Sequence, residues 1–142
     1  MCIRDRKTVI IPSRLGAEKK AMETAAELAE EMGFSPDRIA DLKTAVSEAC
    51  INAMEHGNKL NKDTMVGITL TPGPSKLEVS VRDDGKGIHA VPVPSINNKI
   101  EGKDPSKRGW GLFLIRNLMD EVQFLTDQDG GNTVRMVIHL EK

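Results

Sequence analysis

A glutamate and an asparagine four residues apart, Glu48 and Asn52, are the side chains of this chain best placed for chemistry. Residues i and i+4 of a helix share a face about 6 Å apart along the axis, so the carboxylate and the carboxamide would face the same neighbour. A carboxylate in such a position can accept a proton from a hydroxyl group. A carboxamide oxygen is a hard ligand that suits Mg²⁺. Taken alone, the pair also fits an ordinary solvated helix face.

The helix that carries this pair is predicted to run from Ser35 to about His56. Ser35 followed by Pro36 is typical of a helix start, and Gly57 is a natural stop. Apolar residues recur at helical spacing on the side opposite the pair and would form its buried face: Ile39, Leu42, Val46, Cys50 and Ala53. Cys50 is therefore interpreted as a core residue rather than as a nucleophile.

The second stretch whose residues could take part in binding or catalysis is DDGKG at positions 83–87, directly after a predicted strand. Asp83, anchored at the strand end, would be a fixed hydrogen-bond acceptor for an amino group such as that of adenine. Gly85 and Gly87 would let another group approach the backbone closely. An ordinary Asp/Gly turn is the alternative interpretation of this stretch.

The third stretch is RGWGL at positions 108–112, at the predicted start of a short helix. Glycines at a helix start leave backbone N–H groups open to a phosphate, and Arg108 adds positive charge beside them. An ordinary capped helix start is the alternative. The chain has no GxxxxGK[ST] phosphate loop, and its three histidines are not placed with a serine or cysteine partner as in a nucleophilic triad.

The predicted elements follow the order β-α-α-β-β-loop-α-β-β. Helices are predicted at residues 17–32, 35–56 and 112–119, and strands at 8–12, 65–71, 76–82, 121–126 and 133–140. The segment from Ala90 to Lys107 is predicted to be a long mobile loop. This order predicts an α+β fold, a two-layer sandwich with helices on one face of a mostly antiparallel sheet.

Composition excludes several other classes of protein. The 142 residues suit one domain, predicted to span residues 7–142 after a disordered or extraneous segment 1–6. A net charge of -1 and 3% aromatic residues give no support to direct nucleic-acid binding. No apolar run approaches the ~20 residues needed to cross a membrane, so a cytoplasmic protein is expected.

Together the three stretches resemble the N, G1 and G2 boxes of Bergerat-fold ATP-binding domains, which histidine kinases and gyrase share. The matching segments are residues 48–58 (EACINAMEHGN), 83–87 (DDGKG) and 108–115 (RGWGLFLI). Within that superfamily, the short length and the wording of the first box are similar to the anti-sigma-factor serine kinases. The resemblance covers Thr8 to Leu140, and the predicted loop would be the ATP lid.

The resemblance implies a role for each box. Glu48 would be the general base that activates a protein serine, Asn52 would bind Mg²⁺, and Asp83 would accept a hydrogen bond from adenine. Arg108, or another cation of the lid, would approach the terminal phosphate. The other nucleotide-binding positions that it implies are Gly85, Gly87, Ile88, Gly109, Trp110, Gly111, Leu112 and Thr133.

The function implied is that of an ATP- and Mg²⁺-dependent protein-serine kinase that binds a sigma factor and phosphorylates an antagonist of the STAS type. The resemblance also implies a homodimer. A non-catalytic module that binds ATP and a partner is the alternative, and Glu48 argues against it because binding alone needs no base. A histidine-kinase or gyrase-like fragment is disfavoured, because these 142 residues include no upstream helix with a phosphoacceptor histidine.

Overall fold

The computed structural model describes residues 6–58, 60–61, 63–84, 107–126 and 131–140. Within these residues the chain forms five strands and three α-helices, with a π-helical turn, Ala53–Gly57, directly after the second helix. In chain order they are β1 (Lys7–Pro12), α1 (Glu18–Met32), α2 (Pro36–Asn52), β2 (Met65–Pro72), β3 (Lys76–Arg82), α3 (Lys107–Leu118), β4 (Glu121–Thr126) and β5 (Asn132–His139).

The five strands form one antiparallel sheet in the order β1-β2-β3-β5-β4. Side chains alternate along β3: Leu77, Val79 and Val81 are buried, whereas the residues between them are half-buried. The buried face belongs to the same core as Leu42 of α2 and Ile115 of α3, so the helices cover that face. The predicted α+β sandwich is therefore confirmed, and the predicted lid lies outside the described residues except for Lys107.

The end of α1 and the start of α2 lie where their local sequence predicts. The Ser35 hydroxyl accepts a hydrogen bond from the Arg38 N–H at 3.2 Å, and Pro36 occupies the first helical position. Gly33 ends α1 with φ at 98°, a left-handed conformation that glycine adopts without strain. These two signals fix where α1 ends and where α2, the helix with Glu48 and Asn52, begins.

The interpretation of Cys50 as a core residue is supported by its complete burial. Burial, and secondarily the negative charge of Glu18, raises the pKa of this thiol to about 12. The thiolate is therefore not populated at neutral pH, and Cys50 is a small apolar packing residue. Among the described residues, no helix is both long and apolar enough to cross a membrane.

Two helix boundaries differ from the prediction. The third helix begins at Lys107, not at Leu112, so residues 108–111 lie inside its first turns. The second helix stops being α-helical at Asn52, because the N–H of Asn58 bonds to the carbonyl of Ala53 five residues earlier, at 2.8 Å. Such π turns widen a helix locally and are frequent at functional sites.

Candidate functional site

Helix α2 presents Glu48 to α3. The Glu48 side chain is half-buried, and its Oε1 lies 2.7 Å from the position that a Cβ atom on Gly111 would occupy. Only a glycine fits at position 111 while this carboxylate stays in place. The first and third boxes therefore meet at the Glu48 carboxylate, although Glu48 and Gly111 are 63 positions apart in the chain.

The protonation of Glu48 is shifted in the direction that a general base needs. Burial, and secondarily the negative charge of Glu55, raises the pKa of the Glu48 carboxyl above its ordinary value. A carboxylate with a raised pKa binds a proton more tightly than a solvated one does. Glu48 can therefore accept a proton from a hydroxyl group more effectively than an exposed glutamate can.

Asn52 lies one turn further along α2 and has an oxygen available for a ligand. Its Oδ1 atom is buried and has no hydrogen-bond partner within the part of the chain that the structure describes. Leaving a buried carbonyl oxygen unsatisfied costs free energy, about 1–3 kcal/mol for a neutral group. An amide oxygen is among the hard ligands that Mg²⁺ accepts, so this atom fits a metal-binding role.

Asp83 lies at the end of β3 and is almost fully buried. Its backbone N–H donates to the Asn132 carbonyl at 2.9 Å, and its Oδ1 accepts from the Asn132 N–H at 3.2 Å. On the opposite side, a Cβ atom on Gly57 would overlap the Asp83 carboxylate. The π turn and the start of β5 therefore hold this carboxylate between them.

Four of the residues that the sequence singled out share one cleft: Asn52, Asp83, Leu112 and Thr133. The cleft lies between α2 with its π turn, the end of β3, α3 and the β4–β5 pair. Its other lining residues are Ala49, Ala53, Gly57, Val81, Phe124, Leu125, Thr126, Asn132 and Val134. It combines apolar walls with a buried carboxylate and a buried amide, which is typical of a small-ligand site.

Comparison with known proteins identifies the family. The protein-family model for the histidine kinase-like ATPase domain matches residues 11–138, which is most of the chain. The chain belongs to this family. A curated relative, the serine-protein kinase RsbW of Bacillus licheniformis, is 36% identical over 129 residues, which cover 84% of this chain and 76% of that protein. The resemblance to the serine-kinase branch of these ATPases is therefore confirmed.

Two solved structures share the fold of this ATPase domain. The RsbU and RsbW domains of a Mycobacterium tuberculosis protein match with a TM-score of 0.66 and 23% identity, over 98% of this chain and 33% of that one. A chain of the SiaB–SiaC complex from Pseudomonas aeruginosa also gives a TM-score of 0.66, with 14% identity, over 93% of this chain and 88% of that one. At these identities the similarity concerns the fold alone.

Some predicted site positions of this ATPase domain are not assembled by the described residues. Gly85, Gly87 and Ile88 lie outside them. Arg108, Gly109 and Trp110 lie in the first turn of α3, where the structure describes the backbone only. Their predicted contacts with a nucleotide remain predictions.

The expected role of the Gly111 amide needs a correction. In an α-helix only the N–H groups of the first turn have no partner within the helix. Because α3 begins at Lys107, Gly109 lies in the first turn, whereas Gly111 is the fifth residue of the helix and lies beyond that turn. Gly111 contributes to the site instead by giving the Glu48 carboxylate room.

Nine of the lining residues are not among the nucleotide-binding positions expected from the sequence, and Gly57, Phe124 and Asn132 are three of them. The sequence places Gly57 in the first box and at the end of a helix, but neither signal indicates its contact with Asp83. Phe124 carries the Arg116 guanidinium over its ring, 5.0 Å from the centroid, which holds the ring in place beside the cleft. For Asn132, whose backbone holds Asp83, no sequence signal points to this contact.

Proposed function

We propose that this protein is an ATP-dependent serine-protein kinase and anti-sigma factor, which binds a sigma factor and phosphorylates a STAS-type antagonist. The observation that carries the proposal is the position of Glu48: its raised-pKa carboxylate lies against Gly111, one helical turn from Asn52 and its cleft. The 36% identity to a serine-protein kinase supports the same reaction.

Asp83 binds the adenine end of the nucleotide in this proposal. Its buried carboxylate accepts a hydrogen bond from the exocyclic amino group, and Thr133 lies in the same cleft. Guanine has a carbonyl oxygen at the corresponding position, which would face the carboxylate with like partial charge. Asp83 therefore selects ATP over GTP, since a buried polar group left without a partner costs about 1–3 kcal/mol.

The other end of the cleft takes the phosphates. Asn52 would hold Mg²⁺ through its Oδ1 atom, which has no partner among the described residues, and when bound the ion would neutralise charge on the transferring phosphoryl group. The N-terminal turn of α3, which includes Gly109, would bind the negatively charged phosphates through its backbone N–H groups. Arg108, or another cation of the lid, binds the terminal phosphate.

Glu48 acts on the phosphate acceptor. The serine oxygen of the antagonist attacks the γ-phosphorus, the bond from that phosphorus to the β–γ bridging oxygen breaks, and ADP leaves. The proton of the serine hydroxyl passes to the Glu48 carboxylate. Phosphoryl transfer needs mainly positioning and charge stabilisation, so this one base and the groups that hold the nucleotide suffice.

The proposal includes a homodimer through the edge strand β1. Among the described residues, five large apolar side chains are exposed, and four of them lie on β1, at the start of its partner strand β2, or beside the end of β1; we call Ile10, Leu15, Leu60 and Met65 the β1 patch. In the described sheet β1 is an edge strand, which can pair antiparallel with the same strand of a second copy.

The proposed reaction takes place in the cytoplasm, because the substrate of the kinase is a transcription regulator and its phosphate donor is ATP.

The alternative function is a regulatory module that binds ATP and a partner without phosphate transfer. The raised pKa and half-buried position of Glu48 favour the kinase, because nucleotide binding needs no proton acceptor beside α3. The two functions differ in one observable, the covalent state of the partner after incubation with Mg-ATP.

Incubation with Mg-ATP and STAS proteins encoded nearby, followed by intact-mass analysis, tests the proposal. We expect one STAS protein to gain a single phosphate on a serine with the wild type and to remain unmodified with Glu48→Gln. Nucleotide-dependent binding of a STAS protein with no change in its mass would establish the alternative. A protein that binds neither ATP nor a STAS partner would refute both.

A further inference from the structure

A buried asparagine outside the predicted nucleotide-binding set joins the separate pieces of the site. Asn58 follows the π turn directly and is fully buried. Its Nδ2 donates to the Ser13 hydroxyl at 3.0 Å and to the Met65 carbonyl at 3.2 Å, and its Oδ1 accepts from the Asp84 N–H at 2.9 Å. One side chain thus bonds to the segment after β1, the start of β2 and the end of β3.

These bonds fix the position of Asp83 from the side that β5 does not reach. Asn132 holds Asp83 on the β5 side, whereas Asp84, the next residue, is held by Asn58. The Asp84 carboxylate in turn accepts from the Met65 N–H at 3.3 Å. The two residues that follow β3 are therefore held from both sides, Asp83 by Asn132 and Asp84 by Asn58.

Asn58 also links the end of β3 to α2, the helix that carries Glu48 and Asn52. Its backbone N–H closes the π turn by bonding to the Ala53 carbonyl at 2.8 Å. That turn places Gly57 so close to the Asp83 carboxylate that no side chain fits between them. The main chain of Asn58 thus sets the end of α2, while its side chain sets the end of β3.

We propose that Asn58 is a positioning residue for nucleotide selection: it holds the Asp83 carboxylate at the distance from α2 that adenine recognition requires. This inference rests on the proposed function, because it assumes that Asp83 binds adenine. Asn58 does not contact the nucleotide in this account. It acts through the Asp84 backbone and through the π turn.

The hydrogen-bond network around Asn58 includes a residue, Ser13, whose substitution is a matched control for Asn58→Ala. The Ser13 hydroxyl bonds to Asn58 Nδ2 and, at 2.9 Å, to the Thr64 hydroxyl, and Ser13 is buried, as Asn58 and Thr64 are. Ser13→Ala removes buried hydrogen bonds of the same kind but leaves the bond between Asn58 Oδ1 and the Asp84 N–H. A purely structural role for the network predicts equal effects of Ser13→Ala and Asn58→Ala on nucleotide selection.

The test measures Mg-ATP and Mg-GTP binding by calorimetry, with thermal unfolding of each variant as a check on folding. For Asn58→Ala we expect ATP affinity to fall about tenfold or more and GTP affinity to change by less than about threefold. For Ser13→Ala we expect the ATP-to-GTP affinity ratio of the wild type. With saturating ATP, kcat for serine phosphorylation should stay within about threefold in Asn58→Ala while KM for ATP rises.

Two further variants keep the inference open to refutation. Asn58→Asp retains an oxygen acceptor for the Asp84 N–H, so it should restore most of the ATP-to-GTP ratio even where it is less stable. Asn58→Ser replaces Asn58→Ala if the alanine variant does not fold, because a serine hydroxyl ends one bond short of the Oδ1 position. An unchanged ratio in the Ala or Ser variant, or an equal fall in Ser13→Ala, overturns the inference. A wild type that binds no nucleotide overturns the proposed function as well.

Discussion

At the scale of single residues, the reaction depends on the Glu48 carboxylate. In Glu48→Gln the side chain keeps its size and its place against Gly111 but can no longer accept a proton. We expect serine phosphorylation to fall about 100-fold or more, the lower range of general-base contributions. ATP affinity should stay within about threefold, because Glu48 is not among the residues that line the cleft. Full activity in this variant would remove Glu48 from the mechanism.

The fall of kcat/KM at acid pH, the acid limb of the pH profile, measures the ionisation of Glu48. A base must be ionised, so kcat/KM falls as the pH falls through the raised pKa of Glu48. Glu55→Gln removes the secondary cause of that shift and leaves burial, so we expect the acid limb to move to lower pH. Glu30→Gln, the same change at an exposed position of α1, should leave the limb in place. An unmoved limb in Glu55→Gln would show that another group controls it.

Asp83 gives the corresponding prediction for nucleotide choice. In Asp83→Asn the negative charge is lost, and an amide N–H₂ can turn toward the carbonyl of guanine. We expect ATP affinity to fall about tenfold or more, as for loss of a hydrogen bond to a charged group, and GTP affinity to hold or rise. Calorimetry with both nucleotides measures this. Equal losses for ATP and GTP would mean that Asp83 supports the fold rather than reads the base.

At the scale of elements, α3 is placed by the close approach of Gly111 to α2. Gly111→Ala would raise helix propensity by about 1 kcal/mol, yet its Cβ atom would displace the flexible end of Glu48. We therefore expect an unfolding temperature no lower than that of the wild type together with a loss of phosphotransfer of about tenfold or more. Gly67→Ala, where a Cβ atom meets nothing within 4 Å, is the control for activity.

The elements themselves were predictable where their signals are local. Ser35 with Pro36 and Gly33 marked helix ends that the structure confirms, and the alternation along residues 76–82 marked β3. The prediction that α3 starts at Leu112 is wrong, because it places Gly109 and Gly111 before the helix, whereas both lie within it. The tight contact with Glu48 explains why one of these glycines, Gly111, lies inside α3. A glycine is needed at position 111 for packing, not for a turn.

The candidate site was predictable in its residue types but not in the contacts that hold it. Spacing placed Glu48 and Asn52 on one helix face, and the family resemblance brought Asp83 and Thr133 to the same nucleotide. The bonds that position Asp83 join residues 26 and 49 positions apart in the sequence, namely Asn58 with Asp84 and Asn132 with Asp83. No periodicity within either segment encodes such a pairing, since it depends on how the strands are ordered in the sheet.

At the scale of the whole molecule, the β1 patch predicts self-association. Ile10 is 58% exposed on the edge strand, and Leu15 is 52% exposed just beyond it. Monomeric proteins seldom leave several large apolar side chains together at an open sheet edge, because such an edge recruits another strand. Two copies pairing through β1 would cover both patches with one symmetric contact.

Light scattering during size-exclusion chromatography measures this association. We expect the wild type to elute with twice the chain mass and Ile10→Glu with the mass of one chain, because a buried glutamate in each copy would face apolar surface without a partner. Leu125→Glu is the matched control, since Leu125 is 46% exposed on β4, the opposite edge strand. Its mass should equal that of the wild type. A monomeric wild type, or dissociation by Leu125→Glu instead, would exclude β1 as the dimer contact and leave the patch to a different partner protein.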